Sequence, residues 1–355
     1  MLQPNIKIAG RAIGANFPPY IIAEMSANHQ GQIDHALQII QMAKTAGADA
    51  LKMQTYTADT LTLDCDLPDF QVTQGLWQGR SLYDLYQEAH TPWEWHKLLF
   101  DYARQLELTL FSSPFDATAV DLLEDLNAPA YKIASFEAID LPLIKYVAQT
   151  KKPMIISTGM ANFQEISEAV DTAKENGCQE LVLLHCISGY PAPMEQSNLR
   201  TIIDLARKFS VPVGLSDHTL GITASIAGVA LGASVIEKHV TSNRADGGVD
   251  SAFSLEPDEL KQLCHAAHQA YLALGQAGYE QKSAEKENIR FRRSIYVVED
   301  IKQGEVFSAQ NIRVIRPGFG LKPKYYETVL GQSAQMGLSR GHALSINDVH
   351  LEVGE

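Results

Sequence analysis

Between residues 20 and 272, short apolar runs alternate with amphipathic segments of helical period. Strands of about four to eight residues that alternate with helical segments are typical of βαβ units and a parallel sheet. This repeat constrains the fold more than any other feature of the chain. It predicts eight strands, at Ile21–Glu24, Ala50–Gln54, Leu108–Ser113, Ala130–Ala134, Met154–Ser157, Leu181–Cys186, Val211–Leu215 and Val235–His239.

A helical segment follows each predicted strand. The helices are predicted at His35–Ala46, Trp93–Leu106, Ala117–Leu126, Leu141–Gln149, Phe163–Asn176, Asn198–Lys208, Ile222–Leu231 and Asp258–Leu274. Eight such units fit an α/β fold of the (β/α)8 type, the TIM barrel. A doubly wound open sheet has the same local periodicity and stays as the alternative. Asn5–Gly14 predicts a hairpin ahead of the first strand. The long, irregular stretch Thr57–Tyr86 predicts a covering loop, with disorder as the alternative.

A polar segment without apolar anchors, Gln281–Asn288, ends this pattern and marks a domain boundary. After it the chain changes to short extended runs and turns, and residues 302–312 resemble residues 339–349. We therefore predict a barrel domain at 1–280, a linker at 281–292 and a small domain at 293–355. A segment of about 60 residues provides little core, so we expect it to dock on a barrel or on another subunit.

Charge and cysteine content exclude several classes of protein. The net charge of −13 argues against a general nucleic-acid surface and against attraction to anionic membranes. The four cysteines show no CxxC spacing, which is typical of reduced thiols in a cytoplasmic protein. The first residues lack a basic and apolar signal, and no apolar run is long enough to span a bilayer. We therefore expect a cytoplasmic protein that acts on small molecules.

Two histidines stand at the ends of consecutive predicted strands. Because side chains alternate between the two faces of a strand, His218 shares a face with Ser216, and His239 shares one with Glu237. A pair of imidazoles suits a transition metal and leaves positions open for water and substrate oxygens. The pair therefore predicts a catalytic metal site, with packing in the core as the alternative.

The other strands also end in polar side chains, and the carboxyl ends of barrel strands form the catalytic face. Ammonium groups and hydroxyls together suit a phosphate or a carboxylate, although a single strand lysine more often extends to the solvent at the rim. The predicted anion site consists of Lys52, Lys132, Ser113, Ser135, Ser157 and Ser216.

Two carboxylates at strand ends, Glu24 and Glu137, are candidates for a general base, and an ion pair with Lys52 or Lys132 is the alternative for each. Asp217 precedes a helical segment, so it is a candidate helix N-cap as well as a candidate ligand. His29 either lines the site or holds a turn.

The chain resembles the sialic acid synthase family over nearly its whole length. The segments that carry the resemblance are Ile22–Gly31, Lys52–Thr55, Ser113–Phe115, Tyr131–Ser135, Ser157–Met160, Leu184–Cys186, Tyr190–Pro193 and Gly214–Thr219. The C-terminal segment resembles the antifreeze-like SAF domain of that family through Arg316–Gly320.

This resemblance implies an enzyme that condenses phosphoenolpyruvate with an open-chain amino sugar and releases phosphate by C–O cleavage. It implies a divalent metal on His218 and His239, usually manganese, with cobalt and magnesium as alternatives. The donor would contact the lysines and serines of the predicted anion site. The sugar would contact Glu24, Gln54, Tyr190 and Asp250. The resemblance also implies a domain-swapped homodimer in which Arg316 reaches the partner's sugar site.

Within the family, three segments favour the branch whose sugar is 2,4-diacetamido-2,4,6-trideoxy-altrose. They are Glu24–His29, Thr91–Trp95 and Gly247–Ser254. Three alternatives stay open: a sibling synthase that makes N-acetylneuraminic or legionaminic acid, a metal-dependent pyruvate aldolase, and a carbohydrate-binding protein without catalytic activity. A phosphate assay separates the aldolase, because an aldolase that uses pyruvate releases no phosphate.

Overall fold

The computed structural model describes residues 5–350 of the chain. The chain divides into two compact units, of which the first ends at Gly275 and the second begins at Gln276. Within the predicted linker, Ser283–Phe291 forms an exposed 3-10 helix.

The first unit contains a short hairpin and then a closed barrel. Strands β1 (Ile6–Ile8) and β2 (Arg11–Ile13) pair in antiparallel fashion, as the sequence predicts. Eight parallel strands follow: β3 (Tyr20–Glu24), β4 (Ala50–Thr55), β5 (Thr109–Pro114), β6 (Tyr131–Ile133), β7 (Met154–Ser157), β8 (Leu181–Cys186), β9 (Val213–Ser216) and β10 (Val235–His239). Strand β10 pairs with β3 and closes the barrel. The predicted TIM barrel is confirmed, and the open sheet is excluded.

Helices follow the barrel strands in sequence. They are α1 (Ile33–Ala46), α2 (Ala58–Leu61), α3 (Leu82–Ala89), α4 (His96–Gln105), α5 (Ala117–Asp125), α6 (Leu141–Gln149), α7 (Phe163–Glu175), α8 (Arg200–Phe209), α9 (Thr223–Ala230) and α10 (Pro257–Leu274). The stretch between β4 and α4 is less irregular than the sequence predicts, because it contains α2 and α3. The predicted helix at Trp93 begins as one 3-10 turn and becomes α-helical at His96.

Alternation along the strands divides the interior of the barrel into layers. The apolar layers contain Ile22, Phe111, Ile155 and Val235, and the hairpin packs against them through Ile6, Ile8 and Ile13. Lys7 N of the hairpin donates to Glu180 Oε1, just before β8 begins, so the hairpin lies at the amino ends of the strands. The opposite end of the barrel therefore remains for polar side chains.

Gly214 shows how tightly the interior is packed. A Cβ at this position would lie 2.3 Å from the carbonyl oxygen of Val235 and 2.6 Å from Cδ2 of Leu184. Any larger side chain would therefore push β9 away from β10. This glycine places the two histidine-bearing strands close together.

The second unit has its own small core. Strands β11 (Ser294–Val297) and β12 (Ile312–Ile315) pair in antiparallel fashion, and helix α11 covers Tyr326–Val329. Ile295, Phe307, Ile312 and Leu344 are buried together with neighbouring aliphatic side chains. The short extended runs and turns that the sequence predicts for this segment are confirmed.

Candidate active site

At the carboxyl ends of the barrel strands, the inward-facing side chains change from apolar to polar. Inward-facing residues are two apart along a strand, and the next inward-facing residue after the apolar layer is polar. Glu24 thus follows Ile22, and Glu237 follows Val235. The same step places Lys52 after Ala50 and Lys132 after Ala130. Parallel strands thus bring residues far apart in sequence into one ring of side chains.

The centre of this ring is a buried cluster of two lysines and two glutamates. Lys52 Nζ lies 3.0 Å from Glu24 Oε2 and 3.6 Å from Glu237 Oε2. Lys132 Nζ lies 3.7 Å from Glu237 Oε1. None of the four side chains is more than 5% exposed, so their charges are compensated mainly by one another.

The charges of the cluster follow from burial and pairing. Burial alone would raise the pKa of Glu237, but the ammonium groups of Lys132 and Lys52 lower it well below its usual range. Burial dominates at Glu24 and raises its pKa, although Lys52 acts in the opposite direction. Burial also lowers the pKa of Lys132. Glu237 is therefore the permanent anion that holds both lysines.

Serine hydroxyl groups contact the lysine and glutamate cluster. Lys52 Nζ donates to Ser113 Oγ at 3.3 Å, and Ser216 Oγ donates to Glu237 Oε1 at 2.8 Å. The Oγ of Ser157 is buried and makes no hydrogen bond with any described residue. Near Ser135, a Cβ on Gly159 would lie 2.7 Å from Ser135 Oγ, so the glycine keeps space open there. Ser157 thus has a hydroxyl group that is free to donate to a ligand.

The two histidines predicted as metal ligands are neighbours. Their ring centroids are 5.2 Å apart. Nδ1 of His218 bonds the carbonyl oxygen of Ile187 at 3.0 Å, which leaves Nε2 available. Nδ1 of His239 is buried without a hydrogen bond among the described residues. Burial and the positive charges nearby lower the pKa of His239 well below its usual value, so this imidazole is neutral and retains a lone pair.

These features fit a bound divalent cation. Each imidazole has a nitrogen free to coordinate, and the contact from Ile187 to His218 orients the ring, as hydrogen bonds to metal ligands commonly do. Within residues 5–350, no group of three or more His, Cys, Asp or Glu side chains forms a candidate metal site. Any remaining ligands would therefore come from water and substrate.

An aromatic wall stands beside the histidines. We define it as Tyr190, Phe253 and Trp77. The ring of Tyr190 lies 4.5 Å from that of His218 and 5.4 Å from that of Phe253. Trp77 comes from the long segment after β4; its ring lies 5.7 Å from Tyr190, and its Nε1 donates to the carbonyl oxygen of Val249. The wall gives one side of the site an apolar surface.

Three of the polar residues predicted to contact the sugar, Gln54, Glu24 and Asp250, are joined by hydrogen bonds. Gln54 Nε2 donates to Glu24 Oε1 and to Ser26 Oγ, both at 3.1 Å. Ser26 Oγ donates to Asp250 Oδ2 at 2.5 Å, and that oxygen lies 3.7 Å from Nδ1 of His239. Gln54, Glu24 and Asp250 therefore belong to one connected network that reaches the histidines.

Glu137 differs from Glu24. Its Oε2 is buried and makes no hydrogen bond with the described residues, and burial raises the pKa of Glu137 to about 7. The charges of Lys132 and Lys52 act in the opposite direction, and Glu137 forms no ion pair with any described residue. A carboxyl with this pKa can exchange a proton near neutral pH.

Two ambiguous residues lie away from the site. Asp217 faces away from the barrel interior and pairs with Lys238 at 3.1 Å. Its expected role as an N-cap is wrong, because α9 begins at Thr223 and Ile222 is the residue before it. His29 holds a turn: its Nδ1 accepts from the backbone N–H of Gly31.

Arg316 belongs to the second unit, where it is exposed, so its approach to a sugar stays a prediction. Glu237 and Trp77 belong to the site but are not among the site residues predicted from the sequence. Alternation placed Glu237 on the face of His239, which was the available signal. Nothing in the sequence indicates that Trp77 reaches Tyr190, because the contact depends on the path of a long loop.

A TIM barrel with buried lysines, hydroxyls and paired imidazoles at the carboxyl ends of its strands defines a barrel enzyme that acts on anionic small molecules. Comparisons with known proteins give the family. The NeuB family model matches residues 39–279, and the SAF domain model matches residues 292–350. The chain belongs to the NeuB family, and the resemblance to sialic acid synthases is confirmed.

Relatives and solved structures agree with this assignment. The chain is 46% identical over 329 residues to the pseudaminic acid synthase of Campylobacter jejuni, which covers 93% of this chain and 96% of that protein. It is 43% identical over 334 residues to the pseudaminic acid synthase of Helicobacter pylori, with coverage of 94% and 98%. The crystal structure of N-acetylneuraminic acid synthetase from Leptospira borgpetersenii superposes with a TM-score of 0.73 at 31% identity, covering 82% and 97%.

Two general properties complete this description. The NeuB family is generally metal-dependent, and the relatives do not identify the metal. Among residues 5–350, no helix combines the length and the apolar character that crossing a membrane requires.

Proposed function

We propose that this chain is a pseudaminic acid synthase. It joins phosphoenolpyruvate to the open-chain form of 2,4-diacetamido-2,4,6-trideoxy-altrose and yields pseudaminic acid and inorganic phosphate. The observation that carries the proposal is the meeting of two buried lysines at Glu237, two residues before His239. The similarity to two pseudaminic acid synthases supports the choice of sugar.

The lysine cluster is the donor site in this proposal. Phosphoenolpyruvate carries a phosphate and a carboxylate, and charge-assisted hydrogen bonds from ammonium groups are the strongest that a protein offers to such groups. Lys52 and Lys132 would bind these anionic groups, and the hydroxyls of Ser113, Ser135, Ser157 and Ser216 would complete the contacts. Glu237 keeps both ammonium groups in place before the donor arrives, so little reorganisation is needed on binding.

We assign the metal to His218 and His239, and Mn²⁺ is the ion that we expect. When bound there, a divalent cation supplies Lewis acidity for the aldehyde oxygen of the sugar. The protein supplies two oriented imidazoles and the polar network of Asp250, Ser26 and Gln54 that positions the sugar beside them.

The reaction forms one carbon–carbon bond and breaks one carbon–oxygen bond. C3 of phosphoenolpyruvate attacks the aldehyde carbon, whose oxygen gains a proton, and C2 becomes an oxocarbenium carbon. Water adds to C2 and loses one proton. The C2–O bond to phosphate then breaks as the new C2 hydroxyl gives up its proton and becomes the ketone oxygen, so phosphate leaves with the bridging oxygen and that proton. Fixing the donor and the sugar side by side in the barrel contributes an entropic advantage.

Glu137 is the residue that we assign to the proton of the attacking water. Glu24 is committed to Lys52 and Gln54, whereas Oε2 of Glu137 has no hydrogen-bond partner among the described residues. Glu24, beside the donor, would instead stabilise the positive charge that develops at C2.

The pH dependence of the reaction tests this assignment. Since the pKa of Glu137 is about 7, kcat/KM for the sugar should rise as the pH increases through 7 at saturating donor. Glu137→Gln should lower kcat by about a hundredfold or more and remove this rise. The same change made at Glu175, which is exposed at the C-terminal end of α7, serves as control and should leave the profile intact.

Stability gives a second readout of the same group. The folded-state pKa of Glu137 is raised above its ordinary value of 4.5, so the folded protein binds the proton more tightly than the unfolded chain. The resulting stabilisation is complete below about pH 4.5 and is lost as the pH rises through 7. Thermal unfolding should therefore show Glu137→Gln gaining stability relative to wild type between pH 5 and pH 8. Equal differences at both pH values would refute the raised pKa.

The aromatic wall provides a test of sugar recognition. The methyl groups of the acetamido substituents and the C6 methyl group of the proposed sugar are apolar, and Trp77 and Tyr190 offer them a flat surface. Trp77→Ala should raise KM for the sugar about tenfold and leave KM for phosphoenolpyruvate unchanged. Trp93→Ala is a matched control, because its Nε1 bonds the backbone of Tyr56 outside the wall. Steady-state kinetics with each substrate varied in turn distinguishes the two effects.

The decisive experiment compares candidate sugars. Purified protein is incubated with phosphoenolpyruvate, Mn²⁺ and, in separate reactions, the altro-configured diacetamido sugar and the manno-configured sugars of the sibling synthases. We expect phosphate release only with the altro sugar, and mass and NMR spectra of a nine-carbon acid. Turnover only with a manno-configured sugar would identify a sibling synthase, and product formation from pyruvate without phosphate would identify an aldolase.

The assembly of the subunits is also a proposal. We propose a homodimer with exchanged SAF domains, in which Arg316 contacts the sugar bound by the partner subunit. Mixing Arg316→Ala with a barrel variant that lacks His218 should restore part of the activity if the domains are exchanged, because one site of the mixed dimer is then complete. Light scattering gives the mass of the assembly independently.

A further inference from the structure

Strands β9 and β10 hold the two histidines by different means. His239 is the last residue of β10 and is paired with Glu24 of β3. On β9, pairing with β10 ends at Ser216, which lies opposite Glu237. The last hydrogen bond between these strands runs from Asp217 N to the carbonyl oxygen of Glu237. His218 therefore lies beyond the sheet ladder and needs other contacts to stay beside His239.

A buried ion pair lies directly behind the histidines. Asp217 precedes His218 and Lys238 precedes His239, so both face away from the barrel interior. Lys238 Nζ lies 3.1 Å from Asp217 Oδ2, and both side chains are 1% exposed. Lys238 Nζ also donates to the carbonyl oxygen of Thr219. The ammonium group thus contacts the residues on both sides of His218.

Asp217 extends this connection into the segment that follows. Its Oδ1 accepts from the backbone N–H of Thr219 at 2.9 Å and from the hydroxyl of Thr219 at 2.8 Å. Its Oδ2 also accepts from Ser225 Oγ, within the first turn of α9, at 2.6 Å. The backbone around His218 is therefore fixed to β10 and to α9 at once.

Burying such a pair is costly. Removing two charges from water costs several kcal/mol per ion, and a buried pair is often no more stable than apolar residues of similar volume. The layer between barrel and helices could accept an apolar pair, because Ala224 and Val240, the chain neighbours of Ser225 and His239, are buried in the main core. Each residue of the pair comes directly before one of the histidines. This position is better explained by a role in aligning the two imidazoles than by a gain in the stability of the fold.

We propose that the Lys238–Asp217 ion pair is a clip that holds His218 beside His239 and sets the separation of the two imidazoles. The inference rests on the proposed function in that it takes these histidines to be the metal ligands. Lys238 and Asp217 are positioning residues, because neither touches the substrates or the interior of the barrel.

Cobalt titration tests the clip with a readout independent of turnover. Apo protein is titrated with Co²⁺ by calorimetry and visible absorption, for wild type, Lys238→Met, Asp217→Asn and the double variant Asp217→Leu with Lys238→Met. We expect each variant to bind Co²⁺ about 10- to 100-fold more weakly, as is typical when a group that orients a metal ligand is lost. Affinity for phosphoenolpyruvate in the absence of metal should not change.

The double variant separates positioning from stability. It replaces the ion pair by apolar side chains, so its melting temperature should be close to that of wild type, while its Co²⁺ affinity should remain low. A stable double variant that binds Co²⁺ like wild type would overturn the proposal. Arg244→Met is the matched control, since it removes an ion pair with Glu259 near the same strand but nearer the surface.

Two further variants remove the remaining ambiguities. If the charge-removing variants fail to fold, Ser225→Ala tests the clip instead, because it deletes one hydrogen bond to Asp217 and keeps the ion pair. It should weaken Co²⁺ binding about threefold, and unchanged binding would overturn the clip. His218→Ala is titrated in parallel. If it binds Co²⁺ as tightly as wild type, the metal site of the proposed function is wrong; if only the clip variants bind normally, this inference alone is wrong.

Discussion

Replacing His218 with alanine should abolish turnover without unfolding the protein. The variant removes one of the two imidazoles that we assign to the metal, and such an ion contributes several kcal/mol of charge stabilisation. Since about 1.4 kcal/mol corresponds to a factor of ten, kcat should fall about a thousandfold or more. Phosphate release, measured with saturating donor, sugar and Mn²⁺, gives the rate, and circular dichroism reports the fold.

His265→Ala is the control for this prediction, because His265 is exposed on helix α10. It should retain full activity. Activity of His218→Ala close to that of wild type would contradict the metal assignment. A large loss of melting temperature together with the loss of activity would instead indicate that His218 is a packing residue.

Lys52→Met should produce the largest loss of stability together with loss of the reaction. Lys52 lies between Glu24 and Glu237, and its removal leaves two buried carboxylates that are close to each other. Breaking a buried ion pair by removing one partner costs about 3–5 kcal/mol. The donor would also lose a cation, so binding of phosphoenolpyruvate should become undetectable. Urea denaturation and calorimetric titration with the donor measure the two effects.

A second substitution distinguishes these two consequences. Adding Glu24→Gln to Lys52→Met removes the carboxylate that has lost its ion-pair partner, whereas Glu237 keeps Lys132, so part of the stability should return while donor binding does not. Lys145→Met, on the exposed face of α6, should change neither quantity. Stability of Lys52→Met equal to that of wild type would show that the cluster is not coupled through this lysine.

Much of the barrel could be predicted because each strand or helix is determined mainly by its own consecutive residues. Strand β7 and helix α6 have the predicted bounds, since alternating apolar runs and a helical apolar stripe are properties of a few consecutive residues. Strand β9 begins at Val213 and not at Val211, because Pro212 cannot donate to the sheet ladder. Such shifts at the ends leave the number and order of elements unchanged.

Closure of the sheet could not be predicted from periodicity. An open doubly wound sheet requires the same strands and helices, and the two folds differ in whether β10 pairs with β3, more than 200 residues away in sequence. The three-dimensional arrangement of the site is non-local for the same reason. Alternation identifies which side chains face inward, yet it does not say that Glu237 holds Lys52 and Lys132 together.

The sequence by itself determined that eight strand–helix units exist, that polar residues stand at the strand ends, and that the motifs resemble a sialic acid synthase. Only the tertiary structure decided that the sheet closes and that Asp217 pairs with Lys238 behind the histidines. It also decided that Glu24 forms an ion pair with Lys52, while Glu137 forms none with the described residues. The physical reason is the separation along the sequence over which each effect acts. Periodicity and turn chemistry act over a few residues, whereas burial, ion pairing and the resulting pKa shifts depend on which distant strands become neighbours.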